Sequence, residues 1–183
     1  MTPGGPGVLE KKGMGKVVDL DTLRKLRAKW NEEGRSVVFT NGCFDLLHVG
    51  HLRSLQEAAQ LGDVLIVGLN SDRSVRRLKG ALRPLLDEVS RGALVAAIRG
   101  VDYVVFFEEE TADRVLSILK PDVHAKGTDY QTDNVPERQT VLGYGGRIAI
   151  TGDPKAHSSK NLIREIQARA DGSGPETAES DLP

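Results

Sequence analysis

The feature that most constrains how this chain folds is a repeated alternation of short apolar strands with amphipathic helices. Residues 36–40, Ser-Val-Val-Phe-Thr, are typical of a parallel strand that is covered on both faces. Strands are also predicted at 64–69, 101–107, 122–125 and 147–151, and helices at 21–33, 50–61, from about 71, at 87–98, at 111–119 and from about 158. This order predicts right-handed crossovers and therefore an α/β, Rossmann-like doubly wound parallel sheet with helices on both faces.

Length and charge narrow the classes of protein further. The 183 residues have room for one ordinary domain, which we place at 17–170 between two tails, 1–16 and 171–183, that are predicted to be disordered. The formal net charge of −1 and the scarcity of aromatic residues argue against a nucleic-acid partner. Because no run of about 18 apolar residues could span a bilayer and the chain has a single cysteine, we expect a soluble, cytoplasmic protein without membrane contacts.

In a doubly wound sheet, ligands bind beyond the carboxyl ends of the strands, at the point where the strand order reverses. The loops that follow Thr40, Leu69, Phe107, Ala125 and Thr151 are therefore predicted to form the site. Any phosphate binding must be local to these loops, since the chain as a whole carries almost no net charge.

The loop after the first strand holds two histidines, His48 and His51, around Gly50 at the start of a predicted helix. The amino end of a helix attracts anions through its unpaired N–H groups, and a glycine there lets a phosphate approach the backbone closely. Two imidazoles can donate hydrogen bonds to phosphoryl oxygens as negative charge builds up on them. We therefore predict a phosphoryl-transfer site in which neither histidine acts as a covalent nucleophile.

Two neighbours of the histidines invite other interpretations. Cys43 has no basic residue beside it in sequence, so packing is favoured over nucleophilic chemistry. Asp45 either orders the loop through backbone hydrogen bonds or contacts substrate hydroxyls, and the sequence leaves both open.

The later loops add basic and hydroxyl groups. Asn70 to Asp72 can cap the next helix, and Lys79 beside Gly80 can hold the phosphate of an acceptor. Lys126 can reach a triphosphate, while Gly127 can frame a base or ribose. Ser-Ser-Lys at 158–160 opens the last helix and can bind the pyrophosphate that leaves. His124, inside a predicted strand, is interpreted as a packed residue.

These motifs resemble the cytidylyltransferase-like nucleotidyltransferase superfamily, and most closely the adenylyltransferase domain of the bacterial ADP-heptose synthases. The resemblance rests on residues 40–51 (Thr-Asn-Gly-Cys-Phe-Asp-Leu-Leu-His-Val-Gly-His), 69–80, Arg83-Pro84 and 126–130 (Lys-Gly-Thr-Asp-Tyr). It implies catalytic roles for His48, His51 and Lys126. It implies nucleotide binding by Thr40, Asn41, Gly42, Cys43, Phe44, Gly50, Gly127, Asp129, Ser158, Ser159 and Lys160, and acceptor binding by Asp45, Asn70, Asp72, Lys79 and Arg83.

The resemblance also implies a reaction. ATP and D-glycero-β-D-manno-heptose 1-phosphate would give ADP-heptose and pyrophosphate, for lipopolysaccharide or other glycoconjugate precursors. Mg²⁺ would be held mainly by the triphosphate and not by protein ligands. Because relatives often fuse this domain to a sugar kinase, we expect a separate heptose kinase and a phosphatase to serve the pathway; a homodimer is left open. Lys160 departs from the family, which usually has a third hydroxyl there.

Other activities fit the same motifs. Within the superfamily the alternatives are a cytidylyltransferase acting on glycerol 3-phosphate or a phosphoamino-alcohol, and an FMN adenylyltransferase. From another class, a non-catalytic nucleotide-binding module would need no reactive groups, whereas this chain retains both histidines, Lys126 and the Ser-Ser pair. The sequence therefore favours an enzyme.

Overall fold

The continuous apolar segments form the strands of one six-stranded parallel sheet in the computed structural model, which describes residues 14–153 and 159–171. The strands are β1 (Lys16–Val17), β2 (Val37–Gly42), β3 (Val64–Asn70), β4 (Tyr103–Phe107), β5 (Val123–Gly127) and β6 (Arg147–Thr151). The helices are α1 (Leu20–Glu32), α2 (Val49–Ala58), α3 (Asp72–Lys79), α4 (Glu88–Ala96), α5 (Asp113–Leu119), α6 (Arg138–Gly143) and α7 (Ser159–Ala170). A short 3-10 turn, Ala59–Leu61, follows α2.

The strand order is β1-β4-β3-β2-β5-β6, so the sheet grows outward from β2 in both directions. Every neighbouring pair is parallel, and Thr40 of β2 lies opposite Val67 of β3 and Ala125 of β5. The predicted doubly wound sheet is therefore confirmed. Its order reverses between β2 and β5, which places the loop after β2 beside the loop after β5.

Alternate residues of the strands pack into two separate hydrophobic layers. Val37 and Phe39 face a layer that includes Leu23 of α1 and Leu116 of α5. Val38, between them, faces the opposite layer, which contains Leu55 and Ala58 of α2 and Val95 of α4. Because successive side chains of a strand point to opposite faces, a strand without polar interruption needs helices on both sides. The predicted burial of the first strand on both faces is thus confirmed.

Several helices begin where a polar side chain satisfies the first backbone N–H groups. Asp19 accepts from the N–H of Thr22 at the start of α1, at 2.6 Å. Asp87 accepts from Ser90 at 2.7 Å, which starts α4 one residue after the predicted start. Ser71 likewise accepts from the N–H of Ser74. The predicted helix start at about residue 71 therefore coincides with the N-cap residue of α3.

Two elements differ from the predictions. Lys16, the last residue of the predicted tail, belongs to β1 and pairs with Tyr103 of β4. The N–H of Gly15 donates to the carbonyl of Ala96 at 2.8 Å. A Cβ at Gly15 would lie 2.7 Å from the carbonyl oxygen of Val101, so the backbone can pack this closely only because residue 15 has no side chain. Helix α6 was not predicted, because six residues are too few to show helical periodicity.

Among the described residues, no helix has the length and apolar character needed to cross a bilayer.

Candidate active site

A cleft of about 390 Å³ lies at the carboxyl edge of the sheet, over the reversal point between β2 and β5. Loops after β2, β3, β4 and β5 contribute to it, as do the starts of α2 and α6 and the end of α3. The lining residues are Thr40, Asn41, Gly42, Cys43, Phe44, Asp45, His51, Ser54, Asn70, Leu78, Lys79, Glu110, Thr111, Lys126, Gly127, Asp129, Tyr130, Pro136 and Glu137. The cleft therefore gathers most of the residues that the sequence singled out.

The two motif histidines stack on each other at the amino end of α2. Their ring centroids are 3.8 Å apart and the ring planes differ by 21°. His48 occupies the N-cap position without capping the helix through its side chain, Gly50 is the second residue of the helix, and His51 lines the cleft. Burial, helped by the nearby His48 and by Lys79, lowers the pKa of His51 to about 4. His51 is therefore a neutral imidazole at pH 7, able to donate one N–H.

Phe44 forms the apolar side of the histidine pair. Its ring centroid lies 5.2 Å from that of His51, and its backbone adopts a left-handed conformation with φ of 45°. A Cβ on Gly42 would come within 3.0 Å of the Phe44 ring. The Gly-Cys-Phe segment therefore needs its glycine so that Phe44 can turn back against the histidines.

A buried polar network forms the floor of the cleft. The side-chain oxygen of Asn41 contacts Nζ of Lys126 at 3.2 Å and Nε2 of His124 at 3.0 Å. Lys126 also pairs with Glu137, its Nζ lying 3.4 Å from Oε2 and 4.8 Å from the centre of the Tyr130 ring. Burial lowers the pKa of Lys126, against the opposing effect of Glu137. Lys126 is thus a cation that lines the cleft, and the carboxylate of Glu137 partly neutralises its charge.

His124 is fully buried in β5, as the sequence interpretation required. Its ring packs against Phe39 with centroids 5.9 Å apart. Burial and the neighbouring Lys126 lower the pKa of His124 to about 4, so it is neutral. It supports Asn41 from within the sheet and does not line the cleft.

The thiol of Cys43 is placed for packing. Burial raises its pKa, and Sγ lies 3.8 Å from the side-chain oxygen of Asn70. Asn70 is itself buried and donates to Ser74 and to the carbonyl of Glu109. Asn70 thus lines the cleft while its amide group joins α3 to the loop after β4.

Asp45, for which two roles were open, orders a loop. Its Oδ1 accepts from the backbone N–H groups of Leu85 and Leu86 at 2.7 and 3.1 Å, and its Oδ2 pairs with Arg83. The side chain of Asp45 has no exposed surface, and that of Arg83 is 17% exposed. Arg83, predicted to bind the acceptor, does not line the cleft, since its guanidinium is directed to Asp45.

Asp45→Ala is expected to lower the free energy of unfolding by about 3 kcal/mol or more, because it leaves Arg83 and two N–H groups without their acceptor. Asp45→Asn retains an oxygen for the N–H groups and should lose less. Asp21→Ala, which removes an exposed ion pair with Arg24, should change stability by about 0.5 kcal/mol at most. Urea unfolding measures all three. An Asp45→Ala protein of wild-type stability with a raised KM for the acceptor would instead assign Asp45 to substrate.

Asp72, another predicted acceptor ligand, is directed away from the cleft. Its Oδ1 accepts from Arg91 Nη2 at 2.7 Å, and its backbone N–H donates to Glu88 at 2.8 Å. Arg91 is fully buried and also donates to the carbonyls of Cys43 at 2.6 Å and Leu86 at 3.1 Å. Asp72 therefore orients Arg91, which supports the loop after β2 through the carbonyl of Cys43.

The remaining predicted residues divide by position. Lys79 at the end of α3, and Gly127 and Asp129 after β5, line the cleft. Ser158 lies outside the described residues, as do the side chains of Ser159 and Lys160 at the start of α7. After β6, Asp153 pairs with Arg53 of α2 and accepts from Thr128.

Sequence reasoning missed four residues that shape the site. Glu137 and Arg91 are buried charged side chains, and Glu110 with Thr111 lines the cleft from the loop after β4. For Glu110 and Thr111 a signal existed, since they lie in and at the end of the predicted ligand loop after Phe107. Glu137 and Arg91 carry no such signal, because charged residues in short helical segments are normally at the surface.

Comparison with known proteins gives a consistent result. The cytidylyltransferase-like family model matches residues 39–166. Bifunctional protein HldE of Geobacter sulfurreducens is 45% identical over 163 residues, which cover 89% of this chain and 33% of that protein. The protein of the same name from Trichlorobacter lovleyi is 47% identical over 154 residues, covering 84% and 31%. The chain thus spans about a third of the length of these relatives.

Solved structures agree with the sheet topology. A lipopolysaccharide core biosynthesis protein from Thermoplasma volcanium superposes with a TM-score of 0.58 and 31% identity, covering 67% of this chain and 100% of that chain. Pantothenate synthetase from Thermus thermophilus superposes with a TM-score of 0.59 over 86% of this chain and 71% of that chain. At 16% identity, the second similarity concerns the fold alone.

Proposed function

Since the chain belongs to the cytidylyltransferase-like family of nucleotidyltransferases, we propose that it transfers AMP from ATP to D-glycero-β-D-manno-heptose 1-phosphate, giving ADP-heptose and pyrophosphate. The observation that carries the proposal is the cleft at the sheet's reversal point, where His51 at a helix amino end lines the same cleft as Lys79 and Lys126. Such a site offers several positive and hydrogen-bonding groups to a polyphosphate.

The proposed reaction needs no covalent intermediate on the protein. An oxygen of the sugar phosphate attacks the α-phosphorus of ATP and forms a new P–O bond. The bond from the α-phosphorus to the oxygen that bridges to the β-phosphate breaks, and pyrophosphate leaves with the electron pair. No general base is required, because the acceptor phosphate is already ionised at neutral pH. The protein has to position the reactants and stabilise charge on the α-phosphoryl oxygens.

Each side chain then has a distinct proposed task. His51, with His48 stacked behind it, donates to the α-phosphoryl oxygens together with the N–H groups at the start of α2. Lys126 balances the charge of the triphosphate from the floor of the cleft. Lys79, exposed at the end of α3 and lining the cleft, binds the phosphate of the acceptor. Ser158, Ser159 and Lys160 are proposed to bind the leaving pyrophosphate.

The choice of acceptor rests on similarity and not on geometry. The motifs at 40–51 and 126–130 resemble those of the ADP-heptose synthases, and one structural neighbour is a lipopolysaccharide core biosynthesis protein. The product would accordingly serve lipopolysaccharide or related glycoconjugates. A heptose kinase and a phosphatase would supply and prepare the acceptor, in the cytoplasm where ATP is available. A homodimer remains a proposal.

We propose that the nucleotide substrate is Mg–ATP. Mg²⁺ prefers oxygen ligands and commonly retains phosphate oxygens and water in its coordination sphere, so it would enter with the triphosphate. Asp129 and Glu110 are exposed carboxylates that line the cleft, and they are the groups that would be available to water molecules bound to the ion.

The proposal is tested by pyrophosphate release with ATP or CTP against four acceptors: the heptose 1-phosphate, glycerol 3-phosphate, phosphocholine and FMN. We expect turnover with ATP and the β-anomer of heptose 1-phosphate, with ADP-heptose identified by mass spectrometry. Turnover only with CTP, or only with another acceptor, would overturn the assignment in favour of that activity. Nucleotide binding without turnover of any acceptor would instead indicate a non-catalytic module.

A further inference from the structure

One buried carboxylate, Glu137, connects three of the loops that line the cleft. Its Oε1 accepts from the backbone N–H of Ala112 after β4, at 3.2 Å, and from Nδ2 of Asn41 at the end of β2, at 3.4 Å. Its Oε2 lies 3.4 Å from Nζ of Lys126 in β5. Glu137 immediately precedes α6, so the start of a short helix carries the group that joins β2 and β5 to the N-cap residue of α5.

The contact between Glu137 and Lys126 is shielded from solvent. The exposed fractions of the two side chains are 2% and 6%. Asn41 accepts from the same ammonium, and the Tyr130 ring covers it from the loop after β5. Nζ of Lys126 is thus fixed between a carboxylate, an amide oxygen and an aromatic face at the floor of the cleft.

The other titratable groups near Lys126 do not replace Glu137. His124 is neutral, since its pKa is about 4. Asp113, at the start of α5, acts on Lys126 from farther away, and its two oxygens accept from the hydroxyls of Thr111 and Thr140. The ion pair with Glu137 is therefore the contact that opposes the loss of charge by burial.

We infer that Glu137 is the positioning residue of Lys126, holding its ammonium protonated and directed into the cleft before an anionic ligand arrives. The inference rests on the proposed function, in which that ligand is the triphosphate of ATP. Without the pair, a buried lysine loses its proton more easily, because the charged form is the one penalised by desolvation. Glu137 thus preserves a charge that burial alone would weaken.

The sign of the pH effect follows from this arrangement. Burial lowers the pKa of Lys126, and the charges of Glu137 and Asp113 raise it. Removing the charge of Glu137 lowers the pKa of Lys126 further. The variant's Lys126 therefore loses its proton at a lower pH than Lys126 of the wild type. Low pH should restore the charge and with it ATP binding.

The test is calorimetric binding of a non-hydrolysable ATP analogue to Glu137→Gln, measured from pH 6 to pH 9. Glutamine keeps the size of the side chain and an oxygen for the Ala112 N–H. We expect the Kd at pH 8 to rise about tenfold or more, which corresponds to the loss of about 1.4 kcal/mol of binding, and the difference to shrink toward pH 6. Glu108→Gln, which removes an exposed pair with Arg73, should bind like the wild type.

Lys126→Met separates positioning from simple structural support. If Glu137 acts through Lys126, adding Glu137→Gln to Lys126→Met should weaken binding little further. A structural role predicts a loss that is independent of pH and that adds in full to that of Lys126→Met, and this result would overturn the inference. If the Gln variant melts below the assay temperature, Glu137→Asp replaces it. Aspartate keeps the charge, so binding of the ATP analogue should follow the wild-type pH dependence. A steeper loss of binding at high pH would contradict the inference.

The same experiment separates this inference from the proposed function. A wild-type protein that binds the ATP analogue but turns over no acceptor would overturn the proposed reaction, while the pH dependence of Glu137→Gln would still decide the role of Glu137. A wild-type protein that binds no ATP analogue would overturn both.

Discussion

His51→Ala is expected to lower kcat by about 10²-fold or more with little change in the melting temperature. The reason is that a donor aimed at developing charge in a partly desolvated cleft stabilises the transition state more than the bound substrate. His51 lines the cleft from the first turn of α2. Leu52→Ala, on the exposed side of the same helix, is the matched control and should retain wild-type kcat. Both are measured as steady-state pyrophosphate release under saturating ATP.

The pH dependence sharpens this expectation. Since the pKa of His51 is about 4, the group stays neutral from pH 6 to pH 8, and its titration should leave kcat unchanged across that range. A requirement for the charged imidazolium would lower the rate about tenfold per pH unit above that pKa. An unchanged kcat in His51→Ala would refute the proposed role of the histidine.

Arg91→Met is expected to produce the largest loss of stability, about 3–5 kcal/mol. Arg91 has no exposed surface and donates to the carboxylate of Asp72 and to the carbonyls of Cys43 and Leu86. Methionine fills similar space but leaves Asp72 without its cation and both carbonyls without donors. For a domain of this size, the melting temperature should fall by about 10 °C. Differential scanning calorimetry measures this directly.

A matched control uses an exposed arginine in the preceding part of the chain. Arg73 pairs with Glu108 while 72% of its side chain is exposed, so Arg73→Met should change stability by about 0.5 kcal/mol or less. Arg91→Lys should be intermediate, because it keeps the charge without the three-way geometry of the guanidinium. If Arg91→Met melts within about 2 °C of the wild type, the arginine does not hold the fold as we describe.

The same substitution should also affect the site. Because Arg91 donates to the carbonyl of Cys43, it supports the loop that carries Phe44 and the histidine pair. Any Arg91 variant that still folds should therefore show a raised KM for ATP.

Local patterns in the sequence were sufficient for the sheet and for part of the lining of the cleft. Apolar runs such as 36–40 identified buried parallel strands, and the position of His48 and His51 after the first strand placed them at its carboxyl edge. Lys126 and Lys79 were located by the same reasoning, and both line the cleft. These signals are local, since strand periodicity and helix starts depend on residues a few positions apart.

The pairing of buried charges could not be predicted in this way. The resemblance implies acceptor binding by Asp45 and Asp72, and for Asp45 the residues also allow a role in ordering the loop. In the structure the two carboxylates pair with Arg83 and Arg91, 38 and 19 positions further along the chain. Glu137 carried no signal, although it joins β2 and β5 to the start of α5.

The sequence by itself therefore determined the α/β architecture, the edge of the sheet at which the cleft lies and the position of the histidine pair, because each depends on periodicity and local chemistry. Only the tertiary structure decided which polar side chains face the cleft and which hold the loops around it. Whether a polar side chain faces the cleft or holds a loop depends on which charged groups the fold buries next to each other. An unpaired buried charge is too costly to persist, so each is committed to the partner that the strand order places beside it.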